Sequence, residues 1–366
     1  MKIFAVFCVC FYLVSFLGAK NLMADDVLKG KDTKVFSLQK AADRDFVVLN
    51  ISDPQISTTE WRPGSPYRRI LIRTLEELVS RVNPDLITVS GDLGAPGCGE
   101  SCEALASYLD TFRIPWAPVW GNHDNQSGRK YVQALGESFM THHPFCLFDA
   151  GDARLGHGNY VIGIQEGERK ITALIMMDSH DRDHYPTPEK PDNLAWARLW
   201  PVQYEWYAEQ ADMLKAEGYR DSAIVMHIPI FAYRQALAAA LKPGLNPEKV
   251  PYAQSLEGSC WNPGYESSVG VCHEAICSYP EEDGAFAVFK KVGFTTCIIS
   301  GHDHTNNFIV DYQGIKLVYS VKAGAGCYWD PRSNGGTVLT IGPEGIKGVR
   351  QEFVDVSELV PLLPKK

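Results

Sequence analysis

An α/β fold is predicted for this chain, and three observations predict it. Two β-rich apolar runs, FVVLNISD and PDLITVSGD, flank a stretch, SPYRRILIRTLEELVSRV, whose Tyr67, Leu71, Leu75, Leu78 and Val82 recur at helical spacing. A second helical pattern, from about Cys102 to Phe112, leads into a third run, PWAPVWGNHD. Strand, helix, strand, helix, strand in this order implies a parallel sheet with right-handed crossovers. The third observation is that each run ends on a polar residue with a donor atom: Asp53, Asp92 and Asn122.

The elements follow along the chain. Residues 20–44 are polar and read as an exposed lead-in. The helix after the first strand has Ser65 at its N-cap and Pro66 in its first turn, where each is favourable. NYVIGI and ITALIMMDSH are two further strands, and PVQYEWYAEQADMLKAEG is a helix leading to the strand SAIVMHIPI. Residues 231–283, rich in Gly, Pro, Ser and Cys and without a sustained period, read as an insertion over one rim of the sheet that shapes a substrate pocket. The helix AFAVFKKVG, the strand TTCIIS and the short strands NFIVDY, IKLVYS and TVLTI complete one domain over residues 45–355.

Composition narrows the class. A formal charge of −9 without a long Lys/Arg run argues against a surface that coats nucleic-acid backbone. A small phosphorylated substrate stays compatible, because a local metal charge outweighs the global sign. At the N-terminus Lys2 precedes an apolar run from Ile3 to Leu17 and then Gly18 and Ala19, the layout of a signal peptide over residues 1–19; an uncleaved anchor is the competing reading. No other segment is apolar for long enough to cross a bilayer. Ten cysteines less Cys8 and Cys10 leave eight, an even number suited to disulfides in a secreted or extracytoplasmic protein. Cys98 with Cys102, and the group Cys260, Cys272 and Cys277, are the candidates. Zinc is the alternative, but no pair of C-x-x-C elements is present.

Asp53, Asp92, Asn122, His227, His302 and His304 each fall at or just past the C-terminal end of a predicted strand. In open α/β sheets that edge is where side chains from distant sequence meet. Six oxygen and nitrogen donors converging there are hard to satisfy by hydrogen bonds alone, and carboxylate, amide and imidazole together suit Zn, Fe or Mn. His157, Asp178 and His180 are read first as structural, with a place on the crevice wall as the second reading. Trp196, Trp200 and Trp206 are read as packing or pocket wall.

In order, SDPQ, GDLG, GNHD, MHIPI and GHDH resemble the motifs of the calcineurin-like metallophosphoesterases, from about Phe46 to the last strands. NYVIGI, MMDSH and VGFTTCIISGHDHTNN are most similar to the branch related to purple acid phosphatases. The resemblance implies a four-layer α/β/β/α sandwich with a dinuclear site at the C-terminal edge of the strands. It implies that Asp53 and His304 hold a first ion, that Asn122, His227 and His302 hold a second, and that Asp92 bridges them. His123 would face the scissile phosphate and protonate the leaving oxygen, with Asp124 accepting its other ring hydrogen. Two such cations clamp a phosphate and generate a hydroxide nucleophile near neutral pH.

The chain departs from the pattern twice. Ala95 stands where purple acid phosphatases carry a metal-binding tyrosine, so a ferric–tyrosinate colour is not expected. Gln55 stands where the first motif usually has histidine; its amide oxygen is a weaker, neutral donor, which predicts a looser first position. The activity implied is that of an exported phosphoesterase using two ions of Fe, Mn or Zn on monoesters or diesters. A phosphate-ester-binding pseudoenzyme and a disulfide-stapled extracellular interaction module are the rivals.

Overall fold

A computed structural model describes residues 33–244 and 261–364. Along the chain run β1 (Val35–Gln39), β2 (Phe46–Ile51), α1 (Pro66–Val82), β3 (Leu86–Ser90), α2 (Gly99–Thr111) and β4 (Trp116–Val119). Next come α3 (Asn122–Gln126), α4 (Arg129–His142), β5 (Tyr160–Glu166), β6 (Arg169–Met176), β7 (Arg182–His184) and β8 (Leu194–Trp196). Then α5 (Pro201–Ala216), β9 (Asp221–Val225), α6 (Ala232–Ala240), α7 (Ala285–Val292) and β10 (Thr295–Ser300) follow, and β11 (Ile309–Tyr312), β12 (Ile315–Tyr319), β13 (Gly335–Gly342) and β14 (Gly345–Phe353) close the fold.

Two sheets stack face to face. One has the strand order β1-β5-β6-β9-β10-β12-β11 and the other β14-β13-β2-β3-β4, with β7 and β8 paired separately. The predicted β2-β3-β4 unit is parallel throughout. Alternation within single strands shows why both sheets are buried on two faces. In β9, Ala223 and Val225 join the core between the sheets while Ile224 joins the outer core; in β10, Cys297 and Ile299 point inward and Ile298 outward. A strand covered on both faces must be apolar at every position, which is why these segments read as unbroken runs. Helices α5, α6 and α7 cover the outer face of the larger sheet, while α1, α2 and α4 cover the smaller one. The result is the four-layer α/β/β/α sandwich.

Several expectations are revised. Within the segment read as an exposed lead-in, Val35–Gln39 forms an edge strand parallel to β5, with Val35, Phe36 and Leu38 buried. Ser65 stands at the N-cap of α1 but its hydroxyl makes no cap bond, leaving Pro66 as the start signal. The stretch 231–283 opens with α6, whose Tyr233, Ala236 and Leu237 are part of the outer core rather than a rim. Past residue 355, Val356 and Leu359 are also buried in the core between the layers.

The expected disulfides are not formed among the described residues: Cys98, Cys102, Cys146, Cys272, Cys277 and Cys297 stand as thiols. Cys98 caps α2 and Cys102 sits one turn inside it, buried with its sulfur 3.8 Å from the Tyr131 hydroxyl. Cys260 and the signal segment 1–19 lie outside the described residues. No helix among the described residues is long and apolar enough to cross a membrane.

Candidate metal centre

The strands β2, β3, β4, β9 and β10 end on one edge, and each hands its next residues to the same point. β2 delivers Asp53 and Gln55, β3 delivers Asp92, β4 runs into Asn122, β9 into His227, and β10 into His302 and His304. Sharp turns are needed to aim side chains back over the strand ends, and the backbone records them. Asp53, Gln55, Asp92 and His302 all have positive φ, at 52, 41, 51 and 80°. Non-glycine residues adopt this region at a cost of order 1–3 kcal/mol each and cluster at functional sites. Gly121, in GNHD, serves close approach: a Cβ there would lie within the Asp92 carboxylate.

All seven predicted ligands come together and are buried. Asp53, Gln55, Asp92, Asn122, His227 and His304 each expose 3% or less of their surface, and His302 exposes 7%. The His227 Nδ1 lies 2.8 Å from the Ser90 carbonyl oxygen, so it donates and leaves Nε2 with a bare lone pair in the neutral ring. That Nε2 faces Asn122 Oδ1 at 2.9 Å, Asp92 Oδ1 at 3.4 Å and His302 Nδ1 at 3.3 Å. His304 repeats the device: its Nδ1 donates to the Tyr328 carbonyl at 2.7 Å, and its Nε2 faces Asp53 Oδ1 at 3.5 Å. Acceptors aimed at acceptors repel unless positive charge sits among them. The donor set therefore fits cations, and the histidine tautomers are already those that metal ligation needs.

Asp53, Asp92 and His227 offer ligand atoms within 4.8 Å of one another. Gln55 turns its Nε2 to Asp92 Oδ2 at 3.2 Å, and its buried Oε1 has no partner. An orphaned amide oxygen in this position is what a ligand would look like without its ion.

The electrostatics carry the same signature. Burial pushes the His227 imidazole down, yet Asp92 and Asp53 overcome it and hold the group up at about 10. Burial would raise the Asp53 and Asp92 carboxyls, but His227 in both cases, and His304 beside Asp53, hold them below the ordinary range. Burial, then His227, pushes His302 down to about 3. The two buried carboxylates hold positive charge beside them, which is the balance a cation site requires.

His123 sits at the mouth, with its side chain 30% exposed and Nε2 3.9 Å from Asp92 Oδ2. Burial foremost lowers its pKa, against the pull of Asp92. The expected bond from His123 to Asp124 is not made. Asp124 instead accepts from the backbone N–H groups of Gly121 at 2.8 Å, closing the turn that starts α3, and of Leu93 at 3.4 Å, in the turn after β3. His123 Nδ1 and Asp124 Oδ1 are both left buried without partners. Burial and the Asp92 charge push the Asp124 carboxyl up to about 7.

Two contributors were missed in the sequence. Lys322, fully buried, donates its Nζ to the Asp53 carbonyl and brings a cation against the first ligand. Tyr328 stacks on His304 at 4.1 Å between ring centroids as well as fixing its tautomer. Neither lies in a motif, and only spatial proximity reveals them. Of the tryptophans, Trp196 packs edge-on against His302 at 4.3 Å, Trp200 stacks on His180 at 3.7 Å, and Trp206 belongs to the outer core. His157, Asp178 and His180 border one small cavity beside the centre.

Comparison with known proteins agrees with this geometry. A sequence profile of the calcineurin-like phosphoesterase family matches residues 46–306. The chain is 28% identical over 313 residues to "Probable inactive purple acid phosphatase 14" of Arabidopsis thaliana, covering 76% of this chain and 70% of that protein. It is 26% identical over 287 residues to "Phosphatase DCR2" of Saccharomyces cerevisiae, covering 72% of this chain and 43% of that protein. The fold is similar to the crystal structure of a dimetal phosphatase from Danio rerio, with a TM-score of 0.50, 13% identity, and coverage of 86% of this chain and 98% of that one.

Proposed function

The chain belongs to the calcineurin-like phosphoesterase family, and from that premise we propose that it is an exported hydrolase of small phosphate monoesters or diesters, using two ions of Fe, Mn or Zn. The observation that carries the reading is the inward-facing ring of acceptors around His227 Nε2, where the Asp92 carboxylate, the Asn122 amide oxygen and the His302 imidazole meet, with Asp53 within ligand range of the same group. Such ions, when bound, supply Lewis acidity to the phosphate and lower the pKa of the attacking water.

The residues divide the work. Asp53, Gln55 and His304 would hold one ion, Asn122, His227 and His302 the other, and Asp92 would contribute to both. The backbone N–H of His123 donates to Asp92 Oδ1 at 2.8 Å and ties the start of α3 to that carboxylate. The His123 ring stands at the mouth, its Nε2 3.9 Å from Asp92 Oδ2, where it would be placed to protonate a leaving oxygen. Trp196 and the sandwich walls keep solvent from the His302 side. Export rests on the apolar run Ile3–Leu17 followed by small residues.

A second reading is a phosphate-ester-binding protein without turnover. Gln55 in place of histidine favours it, as does the name of the Arabidopsis relative, "Probable inactive purple acid phosphatase 14". Metal-stripped protein titrated with Mn, Fe or Zn and assayed on an aryl phosphate and a bis-aryl phosphate separates the two. Metal-dependent turnover supports the hydrolase, and stoichiometric metal uptake without turnover supports the binder.

A further inference from the structure

The stretch 269–278 lies along the loop that carries His302 and His304, and it is bound there through its backbone. Val269 and Cys272 form isolated β-bridges to Ile309 and Asn306. The buried Asn306 side chain accepts from the N–H groups of His273 at 2.9 Å and Glu274 at 3.1 Å, and it donates to the Glu274 carbonyl at 3.1 Å. Val271 and Asn307 are joined in the same way, by bonds of 2.8 and 2.9 Å. These bonds hold the Glu274 backbone whatever its side chain does.

The side chain then reaches both supports of His304. Its Oε1 accepts from the Thr305 N–H at 2.6 Å and the Thr305 hydroxyl at 2.9 Å, and its Oε2 accepts from the Tyr328 hydroxyl at 2.6 Å. Thr305 directly follows His304 in the chain. Tyr328 holds the His304 ring twice, by accepting from Nδ1 at its carbonyl and by stacking on the imidazole face. The links close a circuit from Glu274 to Thr305, along the chain to His304, across to Tyr328 and back to Glu274. Tyr328 needs such an anchor, being 41% exposed and following Cys327, whose φ of 62° marks a bend. The same bend passes the first motif so closely that a Cβ on Gly326 would lie 2.5 Å from the Gln55 carbonyl oxygen. The ligands of the other half are supported elsewhere, His227 by Ser90 and His302 by Trp196.

We propose that Glu274 is a positioning residue for His304, acting through Thr305 and Tyr328, and that it sets how tightly the Asp53 half of the centre takes its ion. An imidazole ligand needs one tautomer and one ring orientation, and the groups behind it that fix both are worth about 10–100-fold in metal affinity. The proposal rests on the phosphoesterase reading only for the assignment of two ions, and affinity is measurable without turnover.

The test is a Mn titration of metal-stripped full-length protein, with electron paramagnetic resonance giving the two stepwise affinities and anomalous diffraction assigning each step to its position. Glu274→Ala should weaken the position at Asp53, Gln55 and His304 by about 10–100-fold and leave the position at Asn122, His227 and His302 within about twofold of the parent. Glu274→Gln keeps an acceptor for Thr305 and a hydrogen-bonding group for Tyr328, and should recover most of the loss. Tyr328→Phe removes the hydroxyl but keeps the ring and the carbonyl. It should give a smaller loss at the same position, and it carries the test if Glu274→Ala does not fold. Equal weakening of both positions would make Glu274 a general support of the fold and overturn the proposal. So would an unchanged His304 side in Glu274→Ala and Tyr328→Phe, or a Glu274→Gln variant no better than Glu274→Ala. If the His304 side alone weakens while the parent turns over no phosphate ester with any metal, the hydrolase reading fails and the role of Glu274 stands. If the parent hydrolyses esters and the variants bind Mn as it does, the role of Glu274 fails and the hydrolase reading stands.

Discussion

Around Asn122, His227 and His302 the donors are held from behind and left open in front, whereas around Asp53, Gln55 and His304 most of them are already shared. His227 is anchored by Ser90, and His302 is wedged by Trp196, so the His227 Nε2, the His302 Nδ1 and the Asn122 Oδ1 face one another within this half. In the other half, the Asp53 carboxylate accepts from the Ser52 hydroxyl and from the His302 N–H at 3.1 Å, and its carbonyl accepts from buried Lys322. Gln55 spends its amide N–H on Asp92. An ion entering this half must displace or share hydrogen bonds and accept a nearby ammonium. The difference teaches that one fold edge offers two positions of unequal readiness, and that the inequality comes from neighbours of the ligands as much as from Gln55.

Asp92→Ala removes the carboxylate shared by both halves and should produce the largest effect: loss of turnover and of most bound metal, read by elemental analysis. Next, His123→Ala should cut turnover by about 10²–10⁴-fold, the usual range for a lost general acid, while metal content stays near that of the parent. Equal metal loss in both variants would collapse the distinction between ligand and proton donor. Smaller again is the effect of Gln55→His, which should raise affinity in the first half by supplying a neutral nitrogen donor, without a matching gain in turnover because a stronger donor weakens Lewis acidity. Gln55→Ala with unchanged metal stoichiometry would make Gln55 a bystander.

The smallest predicted effect is a pH dependence of the readier half. Because the metal-free His227 ring is held up at about 10, it carries a proton at neutral pH that an incoming ion must displace. Affinity should therefore rise with pH and level off towards that value, with a proton released on binding at pH 7. Calorimetry in buffers of different ionisation enthalpy counts that proton, and a heat independent of buffer would contradict the assignment.

Much of this was legible in the sequence, for a physical reason. Strands buried on both faces are unbroken apolar runs, and ligands at their C-terminal ends follow each run directly, as Asp92 follows ITVSG and His227 follows AIVM. What escaped notice lacks that local signal. β1 is five residues long and joins its sheet only at the edge. β14 is half-exposed and carries Gly, Lys and Arg, so its pattern resembles a loop. Lys322 reads as a surface cation until the Asp53 turn closes over it. The bond expected between Asp124 and the His123 ring is not made: one Asp124 oxygen holds the backbone N–H groups of Gly121, in its own turn, and of Leu93, in the turn after β3, and the other oxygen has no partner. A composition suited to disulfides says nothing about which sulfurs come within bonding range.

The central claim is a two-ion centre whose halves differ, and anomalous diffraction from crystals titrated with Mn tests it most directly. The account predicts a strong peak bounded by Asp92, Asn122, His227 and His302 at low Mn, with a second peak at Asp53, Gln55, Asp92 and His304 filling only at higher concentration. Equal filling of both positions, or filling of the Asp53 side first, would contradict it.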